Sequence, residues 1–567
     1  MNALHRILIG LFFVPSVALA GTGGVRSTRH NLSVSGPGPV KAATENRVCV
    51  FCHTPHNAQP ATPLWNHRLS GQTYSPYTST TMNASPGQPT GSSKLCLSCH
   101  DGTIALGDVT SEPSPIAMSG GTTTLPPGNT NLGVDLSNDH PVSFPYTPFL
   151  SGADGQLANP ATLTADVTLD ANGEVQCTAC HDPHSNAWPQ FLVMDNTGSA
   201  ICGSCHLRNG WGASTHRTST ATWNGTLPDP WPHTTYTTVA DNGCESCHNP
   251  HTASGATRLM NHVDEETNCL ACHNANVAGT NIESEFQKAY AHPIYAQSGV
   301  HDPTEPAIVT SRHVECADCH NPHATNNNAA AAPAVSGRLL ELPGVDAGGG
   351  PVDPAANQYQ VCFRCHADSP GKPAAPTPRQ HDQTNVRLEF NPTNPSFHPV
   401  ESAGVNPNVP SLLAPYTTSS VIYCTDCHNN DTGLTAGGTG PDGPHGSNYP
   451  ALLGWRYETF DPTTENAARY ALCYRCHDRN SVLNDQSFGE HRKHILGEDA
   501  PCNVCHDPHG VSSTQGTAVN NTNLINFDVS VVSPEPNTGR LEFIDNGTFK
   551  GECWLRCHGK THVGKKY

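Results

Sequence analysis

At 567 residues the chain is long enough for three or four domains, yet only 36% of it is hydrophobic and 6% aromatic, against 50 Gly and 49 Pro. That is too little apolar material, and too many breakers of helix and strand, for a conventional core of this size, while a charged fraction of only 14% does not suit a disordered chain. A formal charge of -19 excludes a nucleic-acid partner, because holding a phosphate backbone takes a basic surface and only Lys560 to Lys566 is locally basic.

In chain order, residues 1–20 come first and read as an export signal. Arg6 stands in a short n-region, Ile7 to Ala18 is apolar, and Ala18-Leu19-Ala20 forms a small-x-small cleavage site before Gly21. The apolar run contains Pro15 and falls short of the roughly 20 residues a membrane span needs. No Cys follows the cleavage site to carry a lipid. The expected mature protein starts near Gly21 and is exported, with no direct membrane anchor, to the periplasm or the cell surface.

Next come the cysteines, 24 in all, beside 33 His. Eleven C-x-x-C-H motifs start at Cys49, Cys96, Cys177, Cys202, Cys244, Cys269, Cys316, Cys362, Cys424, Cys473 and Cys502. Their second cysteines are Cys52, Cys99, Cys180, Cys205, Cys247, Cys272, Cys319, Cys365, Cys427, Cys476 and Cys505. Cys553 and Cys557 form CWLRCH, the same signature with one extra residue, and no cysteine is left over. C-x-x-C-H is the attachment signature of c-type haem. Two thiols one short turn apart add to the porphyrin vinyl groups, and the adjacent His reaches the iron. Zinc sites and disulfides do not demand a His after every pair. The cofactor is therefore haem c, about twelve per chain, with a Cys553–Cys557 disulfide as the alternative at the last site. The proximal iron ligands are His53, His100, His181, His206, His248, His273, His320, His366, His428, His477, His506 and His558.

The second ligand is read as His too, since Met82, Met118, Met194 and Met260 bear no regular relation to the motifs. Five motifs run on into x-Pro-His, giving His56, His184, His251, His323 and His509. The Pro stops the turn, and three residues cannot carry the chain round to the opposite face of the same iron. Each of these His should therefore ligate a neighbouring haem. His30, His67, His140, His292, His398, His445 and His494 complete twelve distal candidates. His216, His233, His301, His313, His491 and His562 are the replacements.

In five pairs of motifs, starting at 49/96, 177/202, 244/269, 316/362 and 502/553, the first motif carries the x-Pro-His tail and the second does not. The pair 424/473 lacks the tail, and His445 serves instead. The chain thus reads as six di-haem modules. After the signal they group as an N-terminal di-haem module with long loops (21–170), three modules (171–420) and a four-haem C-terminal region (421–567). The expected fold is mostly irregular coil with short α-helices and few short strands, wrapped around closely packed haems, with little conventional hydrophobic core. A longer helix is expected over Ile282–Ala291, and strands at Phe144–Tyr146 and Phe527–Val532.

The alternation of CxxCH and CxxCHxPH resembles that of the multihaem c-type cytochromes of the doubled-CXXCH family, found in dissimilatory metal-reducing bacteria. The strings SSKLCLSCHDGTIALG (Ser92 to Gly107), RHVECADCHNPH (Arg312 to His323), GPHGSNYPALL (Gly443 to Leu453) and CNVCHDPHG (Cys502 to Gly510) carry the likeness. It implies electron transport in the periplasm or at the cell surface, often towards extracellular metal oxides. Redox-partner cytochromes are the expected partners, with an outer-membrane porin or self-assembly into filaments as further options. The leading expectation is a carrier without catalytic residues. The alternative is a multihaem oxidoreductase acting on nitrite, hydroxylamine or a sulfur oxyanion, which needs one open iron; no C-x-x-C-K motif marks such a site.

Overall fold

The computed structural model describes residues 24–58, 64–311 and 313–567. The export signal read at residues 1–20 lies outside them. Helix takes 22% of the chain and strand 13%, the rest being coil, turns and bends. The coil-rich fold expected from Gly and Pro content is therefore what forms. Among the described residues no helix is long and apolar enough to cross a membrane.

Two compact units make up the chain. One comprises Met1–Thr78, Met82–His206 and Pro250–Thr252; the other comprises Ser79–Thr81, Leu207–Asn249 and Ala253–Tyr567. Most strands are two residues long and pair in twos. Phe144–Pro145 runs antiparallel to Glu174–Val175, and Ser396–Phe397 antiparallel to Gly510–Val511. The larger sheet is C-terminal: Gly551–Cys557 pairs with Glu542–Asp545, with Lys560–Lys566 and with Val532–Ser533, antiparallel throughout.

The eleven C-x-x-C-H motifs have a common local form. Each sits on one tight turn, closed by the histidine amide on the first cysteine's carbonyl, as at His53–Cys49 (2.8 Å) and His506–Cys502 (3.0 Å). The first motif of a module is a single isolated turn, for example Cys177–Ala179 or Cys424–Asp426. The second motif ends a helix, as in Gly91–His100, Glu265–His273 and Gln358–His366. Proline two residues after the first histidine explains the difference in the five tailed modules, because it forbids helix beyond the turn.

Buried apolar residues fall into small separate clusters. The largest are Val345, Tyr359, Phe363, Ala367, Phe390 and Val400, and Val504, Ile525, Phe527, Val532, Phe543 and Leu555. Two local expectations need correction. Over 282–291 there is no long helix, only the turn Glu285–Gln287 and the strand Tyr290–Ala291, which pairs with Gly446–Ser447. Strand begins at Val532 rather than Phe527, because the Asp528 side chain accepts from the Ser530 amide and turns the chain.

Candidate haem sites

The motif turns fix where each proximal histidine points, and in eleven places the structure sets two imidazole rings opposite each other across a gap, at interplanar angles from 5° to 83°. His53 faces His184 with ring centroids 6.0 Å apart, His100 faces His30 at 6.2 Å, His181 faces His251 at 6.1 Å and His206 faces His140 at 6.2 Å. His248 faces His323 at 6.3 Å, His273 faces His216 at 6.1 Å, His320 faces His445 at 6.0 Å and His366 faces His292 at 6.4 Å. His428 faces His509 at 6.1 Å, His506 faces His491 at 6.3 Å and His494 faces His562 at 6.5 Å. For His477 the strongest histidine influence is His398, which adds to burial in lowering its pKa to about 4.

The spacing is too wide for ring contact and fits an ion. A bond of about 2.0–2.1 Å from each nitrogen to a first-row metal, plus about 1.1 Å from nitrogen to ring centre, puts trans imidazole centroids about 6.2 Å apart. Burial also holds these rings neutral, as a ligand must be: His181, His273, His366 and His428 are pushed down to about 4, and His445 and His491 to about 3.

In most pairs the other ring nitrogen is occupied, which leaves Nε2 for the iron. Proximal Nδ1 atoms bond to carbonyl oxygens: His100 to Thr130 (2.6 Å), His181 to Gln190 (2.9 Å), His248 to Arg258 (2.8 Å), His320 to Arg338 (3.0 Å), His428 to Ala451 (2.8 Å) and His506 to Asn523 (2.9 Å). Gln190, Arg258, Ala451 and Asn523 have φ near +55°. Such a left-handed residue costs about 1–2 kcal/mol, so each presents its carbonyl at the expense of backbone comfort. On the distal side His251 Nδ1 meets Asp139 (3.2 Å) and His509 Nδ1 meets Glu389 (3.0 Å).

A rule emerges from the pairing. The histidine after the first motif of a module faces the first-motif histidine of the module before it: His184 to His53, His251 to His181, His323 to His248, His445 to His320 and His509 to His428. In the first five modules the second-motif histidine is set against a histidine that precedes both motifs of that module, His100 with His30, His206 with His140, His273 with His216, His366 with His292 and His477 with His398. Those preceding histidines share a support that the sequence did not reveal. His30 Nδ1 bonds to the carbonyl of Pro183, His216 to Pro322, His292 to Pro444 and His398 to Pro508, each the proline before the next module's tail histidine. His140 is joined to Pro250 through its own amide (2.8 Å).

Cysteine sulfurs lie in motif order. The last motif of one module lies beside the first of the next, with Cys96 next to Cys177, Cys269 next to Cys316, Cys362 next to Cys424 and Cys473 next to Cys502. Within a module, the second cysteines neighbour each other, as at Cys52–Cys99, Cys180–Cys205, Cys247–Cys272 and Cys427–Cys476.

Several expected ligands are placed elsewhere. His67 is fully buried, but both ring nitrogens meet carbonyl oxygens, of Arg68 (3.0 Å) and Ala105 (3.1 Å), so it is a structural histidine and His216 and His491 stand as ligands instead. His56 is exposed and faces no histidine among the described residues. His233 bonds to the backbone at His248 and Glu245. At CWLRCH the cysteines lie on a strand, not a turn, and four residues of strand span about 13 Å. His558 there pairs with Asp461 (2.8 Å), and the ring opposite His494 is His562, whose Nδ1 is held by Tyr567 (2.6 Å).

Among known proteins, a family model of the doubled CXXCH motif matches residues 171–210, 237–278 and 414–482. Those segments carry the doubled CXXCH motif, a pattern consistent with a multihaem c-type cytochrome. They hold the motif pairs 177/202, 244/269 and 424/473, so three of the six modules match the family's repeat. No curated protein matches the chain.

Proposed function

We propose that this cytochrome is an exported electron carrier, holding about twelve bis-His haems in the periplasm or at the cell surface and passing electrons towards metal oxides or other extracellular acceptors. Haem c supplies a one-electron iron couple at each site when bound. The observation that carries the reading is the facing of histidine rings at 6.0–6.5 Å, which provides both axial ligands and leaves no position for a substrate. Two imidazoles, rather than His and Met, favour low potentials. The protein's part is placement: paired nitrogens orient the rings, and neighbouring cysteines keep successive motifs in order. Low-temperature EPR of the oxidised holoprotein, with a haem count from intact mass, tests this. Wholly low-spin signals are expected; a stoichiometric high-spin signal would sink the carrier reading and favour a multihaem oxidoreductase.

A second reading, a subunit of a cytochrome filament or of a porin–cytochrome conduit, is supported by His56. By the pairing rule His56 and Pro55 stand where a tail histidine opposes the first-motif histidine of another module, and no motif histidine lies opposite His56 among the described residues. Their occupant is then a haem of a neighbouring cytochrome, with one axial position open to His56. Electron microscopy and light scattering of His56→Ala beside the parent protein decide it. Assembly lost in the variant supports the reading, and assembly equal in both removes it.

A further inference from the structure

Two histidines that face no motif histidine, His301 and His313, come together with Glu315 and Asp318, one ligand atom of each lying within 4.8 Å of all the others. Three of the four are buried, His301 at 9%, Glu315 at 7% and Asp318 at 5% exposure. The acids are fixed by a short helix, Cys316–Cys319, on which Glu315 and Asp318 cap each other's backbone amides. One oxygen of Asp318 is used in this way (2.8 Å from the Glu315 amide), and its other oxygen turns to His301.

The distances are informative. His301 Nδ1 stands 3.3 Å from Glu315 Oε2 and 3.5 Å from Asp318 Oδ1, yet it makes no hydrogen bond. A histidinium paired with these acids would close to hydrogen-bonding geometry; His313 Nε2 does lie 2.8 Å from Glu305, a contact it would exchange for the ion. By contrast, ligands about 2.0–2.2 Å from one tetrahedral ion stand about 3.3–3.6 Å from each other. His313 also has the support that metal-bound imidazoles have, its Nδ1 lying 2.9 Å from the Ser311 carbonyl oxygen. Glu265 and Glu305 add negative charge beside the cluster, and Arg364, bonded to Asp318 and near Glu305, is a cation there. Arg258 bonds to the His301 carbonyl and to Asp302. Among the described residues the acids around the cluster, Glu265, Glu305, Glu315 and Asp318, still outnumber Arg364 and Arg258, so the site has room for a further positive charge.

We propose that His301, His313, Glu315 and Asp318 bind one divalent first-row transition ion, with zinc the best match to two imidazoles and two carboxylates. A calcium site would take oxygen ligands throughout. The ion stands beside two haem-attachment motifs, because Asp318 is the residue before Cys319 and its charge reaches Cys365. It is thus a fixed charge at the joint between the sites of His320 and His366.

The test uses haem-loaded protein, stripped with a chelator and then dialysed against zinc, with zinc and iron counted by mass spectrometry. One zinc per chain more than in His301→Ala/His313→Ala is expected, with affinity at least tenfold weaker in Glu315→Gln. If the double variant loses haem, Asp318→Asn, nearly equal in shape, takes its place. Equal zinc in parent and variant, or retention of calcium without zinc, overturns the proposal.

Discussion

The Nδ1 of His216 lies 3.0 Å from the carbonyl oxygen of Pro322, and the residue after that proline, His323, faces a different motif histidine, His248. One proline therefore steadies two ligands of two sites. His216→Ala should leave the haem count unchanged and convert one haem, that of His273, to a high-spin form. His233→Ala should convert none. EPR beside intact mass reads both; a silent His216→Ala would remove it as a ligand.

At the C-terminus the geometry separates two histidines that the sequence makes look equivalent. His562 faces His494, while His558 is held by Asp461. His562→Ala should yield one equivalent of high-spin iron, and His558→Ala none. The reverse pattern would restore His558 to the role its motif suggests.

His67 offers a contrast between holding iron and holding the fold. The neutral ring has one N–H, so its substitution by Ala takes the donor from one buried carbonyl oxygen, of Arg68 or Ala105, at about 1–3 kcal/mol, and leaves a cavity. Thermal unfolding should move down by several degrees with spin state and haem content unchanged. A new high-spin signal in His67→Ala would contradict this assignment.

Glu401 gives a pH dependence with a definite sign. Burial pushes its pKa up to about 7, with Arg387 opposing, and neither carboxyl oxygen has a hydrogen-bond partner. A raised carboxyl pKa means the native state keeps a proton that the unfolded state has released. Its contribution is therefore full below the ordinary carboxylate range and is lost as pH rises through about 7. Melting temperature should fall between about pH 5.5 and about pH 8, and fall less in Glu401→Gln. An identical fall in both proteins would show that Glu401 is ionised in the native state throughout.

How much of this was legible beforehand depends on the range of the signal. Cysteine spacing is local, so the turns at Cys49 through Cys505 could be read directly, and low apolar content with abundant Gly and Pro foretold a coil-rich chain. The x-Pro-His tail told that His184, His251, His323 and His509 leave their own site. It did not tell that each reaches back a whole module, because that depends on the path between motifs. His67 misled since the ligand that a module keeps between its two motifs is the tail histidine, and His67 is a second histidine there, held by carbonyl oxygens. His216 could have been found from the requirement that one histidine precede each pair. The hairpin at Cys553 arises from pairing with Glu542–Asp545 and Lys560–Lys566, contacts that a six-residue motif does not encode.

The backward reach of the tail histidines also governs how such a chain can grow. Each interior module completes the one before it and is completed by the one after, so a whole module inserted or deleted in the middle leaves every ring opposed. The ends are different. In the module of Cys502 it is His491, from the segment just ahead of the motif, that opposes His506, where the earlier modules use a later tail histidine. Removing the modules that follow strands a first-motif histidine, so C-terminal truncations at module boundaries, safe in most repeat proteins, should here expose one iron, whereas N-terminal truncations free only a tail histidine.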